Sequence, residues 1–272
     1  MSASRGWALI LGVTGGSGAA IARAVAQDPG LDVFGVHRGN WTESARAVEQ
    51  AVDGAGRRCE MLLADASNAQ AAQSGAELVR ERLGPASISL FVHAIANASV
   101  GRLTGEGDDR LYPRRLEKTF NAMAHSFVYW TQALLDQGLL APQARLLGLS
   151  NPMDDAVVRG TAAIAASKAA LGAYVRHLAH ELGPRGICVN LLKFGAVTTR
   201  AVGRTFGADG MLRLQRAVEG AIPARRLCTA DEVGQFVSVL AGPRGAWFNG
   251  ATIDFTGGEF QGLMTALLEK GE

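Results

Sequence analysis

Gly12, Gly16 and Gly18 follow the first apolar run of the chain, in the stretch Gly12-Val-Thr-Gly-Gly16-Ser17-Gly18. Without Cβ atoms, a strand-to-helix turn of this spacing lets backbone N–H groups approach a pyrophosphate, and the helix N-terminus adds a positive dipole. A tight turn in any α/β protein would use the same residues. Arg38 closes the second apolar run, Val36-His37-Arg38, where a carboxylate commonly holds a ribose 2′-OH. No Asp or Glu stands there. A guanidinium can instead hold a 2′-phosphate through forked, charge-assisted hydrogen bonds, with a solvated loop arginine as the alternative. Asp65, just past the third run, is placed to accept from an adenine amino group. Lys168 lies in an Ala-rich helical stretch, where burial would bring its pKa toward that of a usable acid. His177 and His180 share a helix face without a third ligand nearby, and His93 ends an apolar run, so the histidines read as structural or solvated and no metal site is expected.

These residues need a frame that gathers them. Short apolar or β-branched runs alternate with longer Ala-rich stretches, the pattern of repeated βαβ units and a parallel sheet. Strands are predicted over Trp7–Leu11, Val33–His37, Cys59–Leu63, Ile88–His93, Arg145–Leu149, Cys188–Leu192 and Thr252–Phe255. Helices are predicted to start near Gly18, Thr42, Ala69, Leu116, Gly160 and Thr229, and Gly183-Pro-Arg-Gly186 reads as a helix stop. The expected fold class is α/β, a single doubly wound Rossmann domain over residues 1–272 with a seven-stranded parallel sheet and a small helical lid at about 200–222. With 48% hydrophobic residues the chain can bury a large core, and a formal net charge of +2 gives no reason to expect nucleic acid or a membrane surface as partner. Three scattered cysteines, Cys59, Cys188 and Cys228, suit a reducing compartment, and a cytoplasmic location is the expectation.

The segment Gly160-Thr-Ala-Ala-Ile-Ala-Ala-Ser-Lys168-Ala-Ala-Leu resembles the active-site helix of short-chain dehydrogenases/reductases. Leu149–Ala201 is similar to their enoyl-reductase branch without gaps, and Ile222-Pro-Ala-Arg-Arg and Ile253-Asp-Phe-Thr-Gly-Gly258 extend the resemblance toward the end of the chain. It implies a nicotinamide cofactor, NADPH on the strength of Arg38 with NADH as the alternative. It also implies cofactor contacts at Ala66, at His93-Ala94-Ile95-Ala96, and at Gly195, Val197 and Thr199 in the loop that meets the nicotinamide. Lys168 would hold the nicotinamide ribose. In that family a tyrosine stands four or seven residues before the lysine; here those positions are Ile164 and Thr161. The position of the substrate-orienting hydroxyl is Asn151, beside Ser150, and the relay asparagine of the fourth helix corresponds to Met123. Lys168, Ser150, Asn151 and Thr161 are therefore the catalytic candidates, though a threonine hydroxyl is a poor proton source.

Hydride delivery needs a carbonyl or alkene held against the nicotinamide, and an acid adds about 10²- to 10⁴-fold in rate. A ketone beside a phenol or enol hydroxyl brings its own hydrogen bond. The sequence is also similar to tyrosine-lacking ketoreductases of aromatic polyketides, which implies an angucyclinone-like substrate in antibiotic biosynthesis. The alternatives are an enoyl (alkene) reductase and a non-catalytic NADP-binding sensor. Asn97 and Ser99 on one rim, and Phe206 and Met211 on the lid, are the expected contacts to a bulky apolar aromatic ligand. The resemblance further implies a homo-oligomer formed through the Ala-rich face Ala162–Ala173.

Overall fold

The computed structural model describes residues 6–40, 42–155, 157–197 and 200–259. Seven parallel strands run in the order β3-β2-β1-β4-β5-β6-β7: β1 Trp7–Leu11, β2 Asp32–His37, β3 Cys59–Leu63, β4 Ile88–His93, β5 Leu140–Ser150, β6 Cys188–Phe194 and β7 Thr252–Phe255. Every residue of β1 is buried, as a strand covered on both faces requires. α1 (Gly16–Gln27), α2 (Thr42–Gly54) and α8 (Ala230–Ala241) cover one face, where Ile21, Val48 and Val233 meet Ile10 and Leu147. α3 (Ala69–Leu83), α5 (Ser126–Asp136) and α6 (Ala162–Leu182) cover the other, around Trp130, Phe127, Phe91 and Leu171. The doubly wound α/β fold read from the sequence is the fold observed.

Some boundaries differ. α1 starts at Gly16 rather than Gly18. The helix expected near Leu116 is α4 (Pro113–Phe120), with proline at its first turn, where a missing N–H costs nothing. It runs through one wide π turn, Asn121–His125, into α5. β5 begins at Leu140, five residues early, because its first part carries Pro142 and a Gln143 with φ of 61° rather than a periodic run. The predicted stop after α6 is real: Gly186 takes φ of 75°, the left-handed conformation glycine adopts cheaply.

The strand order reverses beside β1, between β2 and β4. Such a switch point opens a crevice at the carboxyl ends of the strands. Leu11 pairs with both Val36 and His93, so Gly12, Arg38 and Ala94 are delivered to one edge. α7 (Arg200–Ala221) follows β6 and kinks at Gly207, whose φ of 68° and ψ of 177° suit only glycine.

Candidate active site

A cavity of about 650 Å³ opens over these strand ends. Its first wall is the turn from Gly12 to the start of α1, including Gly16, Ser17 and Gly18. A Cβ on Gly12 would stand 2.7 Å from the Ala94 carbonyl oxygen, and one on Gly18 would collide with the Gly12 carbonyl. The bare backbone lets strand, turn and helix close on each other. α1 has no side-chain cap and no acidic residue in its first turn, so its positive end is left for a ligand. The middle is lined by His37, Arg38, Asp65, Ala66 and the strip Ala94–Ala98. Asp65 Oδ1 accepts from the Ser67 N–H and hydroxyl at 3.1 and 2.7 Å, which fixes the carboxylate at the rim. Burial holds His37 below the usual imidazole pKa, with Glu49 opposing. An extended, glycine-lined trough with an arginine beside its second strand fits an adenine dinucleotide.

The far end is apolar. Ala122, Met123 and Ile164 form a buried cluster against Ile95, Ala98 and Met153, and all six also line the cavity. Asn151 is the polar exception, and its Oδ1 is engaged by the Met153 N–H at 3.2 Å. No tyrosine lines the cavity: Tyr112 is exposed, the Tyr129 hydroxyl donates to Asn121 Oδ1, and Tyr174 pairs with His125 Nδ1.

The remaining catalytic candidates stand behind or beside this wall. Lys168 is 4% exposed and donates to the Leu149 carbonyl at 2.6 Å. Burial lowers its pKa to about 8, against the opposing pull of Asp154. Ser150 is buried, and its hydroxyl makes a long 3.4 Å bond to the Asn151 carbonyl. Thr161 donates to the Val158 carbonyl at 2.9 Å and borders a separate cavity of about 310 Å³ with Arg102, Asp109 and Arg159. His93 is fully buried on the same side, with Nε2 2.8 Å from Ser126 Oγ. The Ser126 hydroxyl donates to the Ala122 carbonyl at 3.0 Å, so Nε2 carries the ring proton and Nδ1 is left without a partner. Burial first, and the Lys168 charge second, push His93 down to about 3, which keeps it neutral.

Gly195 and Val197 approach from β6. Val197 is buried and bridges Cys228, whereas Thr199 and the side chain of Phe206 lie outside the described residues. Met211 sits on α7, and Ser99 donates its N–H to Thr119 Oγ1 at 2.9 Å; neither borders the larger cavity. Two features escaped the sequence reading. The Glu259 carboxylate accepts the Ala196 N–H at 3.0 Å and fills the space that a Cβ on Gly195 would need. Burial raises its pKa. Lys193 Nζ lies 2.9 Å from Asp154 Oδ1 and 2.7 Å from Asp155 Oδ2, tying β6 to the 3₁₀ turn Pro152–Asp154 that carries Met153. Only Gly195 and the Asp154-Asp155 pair offered a hint, since both contacts span distant parts of the chain.

The sequence model of the Enoyl-(Acyl carrier protein) reductase family matches residues 12–259. An uncharacterized oxidoreductase of Bacillus subtilis is 27% identical over 259 residues, covering 94% of this chain and 97% of that protein. The 1-cyclohexenylcarbonyl-CoA reductase of Streptomyces collinus is 25% identical over 253 residues, covering 92% and 85%. Among solved structures, a short chain dehydrogenase from Burkholderia cenocepacia in complex with NADP superposes with a TM-score of 0.80 at 29% identity, covering 93% of this chain and 97% of that one.

Proposed function

This chain belongs to the enoyl-(acyl carrier protein) reductase family of the short-chain dehydrogenases/reductases and is an NAD(P)H-dependent oxidoreductase, and on that premise we propose that it is an NADPH-dependent ketoreductase of hydroxylated aromatic ketones. The observation that carries the reading is the apolar far end, where Ala122, Met123, Met153 and Ile164 stand and no tyrosine hydroxyl reaches the cavity. A thioester enolate formed by alkene reduction would have no acidic protein donor there, since the Asn151 amide can hydrogen-bond but does not give up a proton. A ketone flanked by a phenol or enol needs none, because its own hydroxyl hydrogen-bonds the oxygen on which charge develops and regains its proton from water.

The trough from Gly12 to Asp65 would hold the adenine, diphosphate and 2′-phosphate of NADPH, with Arg38 on the last of these. When bound, NADPH supplies the hydride. The protein's task is then to orient a flat apolar substrate against Ile164 and Met153. An apolar wall suits an aromatic polyketide of the angucyclinone kind. The structural relative complexed with NADP supports the choice of cofactor.

The test follows NADPH fluorescence with three substrates. A peri-hydroxy aryl ketone should be reduced, its O-methyl ether should bind without turnover, and a crotonyl thioester should be inert. Turnover of the thioester alone would replace the reading with enoyl reduction. NADPH binding without turnover of any of the three would point to a cofactor sensor.

A further inference from the structure

The second cavity, of about 310 Å³, stands between the loop after β4 and the segment that leads into α6. Arg102 and Asp109 line it from the loop, and Arg159 and Thr161 line it from the segment. The two walls are joined where the Gly101 N–H donates to the Gly160 carbonyl at 2.9 Å. The loop is built rather than loose. Arg115 of α4 donates to the carbonyls of Val100, Asp108 and Arg110 at 2.9, 2.8 and 3.2 Å, which pins both ends of it. Arg102 is fixed in the backbone, with its N–H on the Asp109 carbonyl at 2.6 Å and its carbonyl accepting from Leu111 at 2.9 Å. A Cβ on Gly101 would stand 2.8 Å from the Asp109 carbonyl oxygen, so this close turn depends on glycine.

The guanidiniums of this cavity are poorly neutralised. Arg102 reaches Asp109 only at 3.8 Å, with both side chains about half exposed. Among the described residues no carboxylate stands within ion-pair distance of Arg159. Two guanidiniums against one carboxylate leave one positive charge. That balance suits a carboxylate, which an arginine fork binds well, whereas a phosphate dianion would press a second charge toward Asp109. The rim is apolar: Val100 lines the cavity, Leu103, Val157 and Val158 flank its lining residues in the chain, and all four are exposed.

The two cavities are one helical turn apart. Thr161 borders the second and Ile164 the first, a spacing that shares a helix face over a rise of about 4.5 Å. On the loop, Ala98 lines the first cavity and Val100 the second. A molecule whose ketone lies against Ile164 therefore needs only a short arm to meet the arginines. We propose that the second cavity is an anion subsite for the same substrate, where Arg102 and Arg159 take a carboxylate at the end of an apolar arm. For the head of the substrate this rests on the ketoreductase reading above; for its acidic end it rests on the second cavity alone.

The probes are a peri-hydroxy aryl ketone with a carboxypentyl arm and the primary amide of the same compound. With NADPH, KM for the acid should be about tenfold below that for the amide, the size of one charge-assisted hydrogen bond. High salt should narrow the gap. Arg102→Gln and Arg159→Gln should each raise KM for the acid and bring the ratio to about threefold or less. Arg185→Gln, at an exposed arginine beyond the other end of α6, should keep the tenfold ratio. Equal KM for acid and amide in the wild type overturns the proposal, as does an unchanged ratio in the double variant Arg102→Gln/Arg159→Gln. Should the double variant not fold, the wild-type comparison decides alone. Calorimetric binding of both compounds to the NADPH complex gives the same comparison without turnover. Tighter binding of an acid that is never reduced strikes the ketoreductase reading and keeps the subsite. Reduction of both compounds at equal KM keeps that reading and strikes the subsite.

Discussion

Ile164 is 6% exposed and packs with Ala122 and Met123, so the place where a phenol could reach a bound carbonyl is filled by hydrocarbon. Replacing it with tyrosine adds ring and hydroxyl to a packed cluster, which typically costs about 1–3 kcal/mol of stability. The hydroxyl would also have no relay behind it: Met123 stands on the neighbouring π turn, and Ser126 is committed to Ala122 and His93. Ile164→Tyr should therefore leave kcat for the hydroxy-ketone unchanged or lower, measured by NADPH oxidation; a large gain would sink substrate-assisted protonation. His93 offers a pH test on stability. Its folded pKa of about 3 lies below its ordinary 6.5, so the unfolded chain takes up the proton first as pH falls. The stability it contributes is fully present above pH 6.5 and is lost as pH drops toward 3. Urea midpoints should fall from pH 6.5 to 5, before most carboxylates titrate, and His93→Gln should flatten that slope. A slope identical in both proteins would show that His93 is not held neutral.

The elements matter as levers on these residues. α1 supplies the N-terminus that faces the trough, and α8 is what holds α1 in place. Their contact is close because Gly234 lacks a side chain: a Cβ there would stand 2.6 Å from the Ala20 carbonyl oxygen. α8 is itself anchored by a capping box, in which Thr229 Oγ1 accepts the Glu232 N–H at 3.2 Å and Glu232 accepts the Thr229 N–H at 2.8 Å. Gly234→Ala should push α1 outward and misplace its first turn. The expected result is about a tenfold weaker NADPH affinity, equivalent to about 1.4 kcal/mol, with little change in far-UV circular dichroism. Thr229→Ala, which removes only the cap, should cost about 1 kcal/mol in stability and leave affinity near wild type. Equal affinities in Gly234→Ala and wild type would mean that the α1–α8 contact does not set the position of the turn.

At the scale of the molecule, β1, β3, β4 and β7 were legible to the residue because each is a compact, largely apolar or β-branched run bounded by small or polar residues: Gly6 and Gly12, Arg58 and Ala64, Ser87 and Ala94, Ala251 and Thr256. The glycine turn, Arg38, Asp65 and Ala94–Asn97 were legible as a trough because each begins within two residues of the end of such a run. The π turn was not, since nothing in Asn121–His125 distinguishes five-residue from four-residue hydrogen bonding. Nor were the Lys193–Asp154 pair and the Glu259–Ala196 contact, which depend on β5, β6 and the segment after β7 arriving together. A ligand lying across the switch point would engage β1, β2 and β4 at once and so stabilise the whole sheet. At a concentration about 100 times its Kd, linkage contributes about 2.7 kcal/mol. For a chain of this size that amounts to a rise in Tm of about 5–10 °C, readable by calorimetry. NADPH should give this rise and NADH at equal concentration a smaller one, because only the former offers Arg38 a 2′-phosphate. In Arg38→Ala the two nucleotides should become equivalent. Equal shifts in the wild type would remove Arg38 from cofactor selection, and no shift with either would remove the trough from cofactor binding altogether.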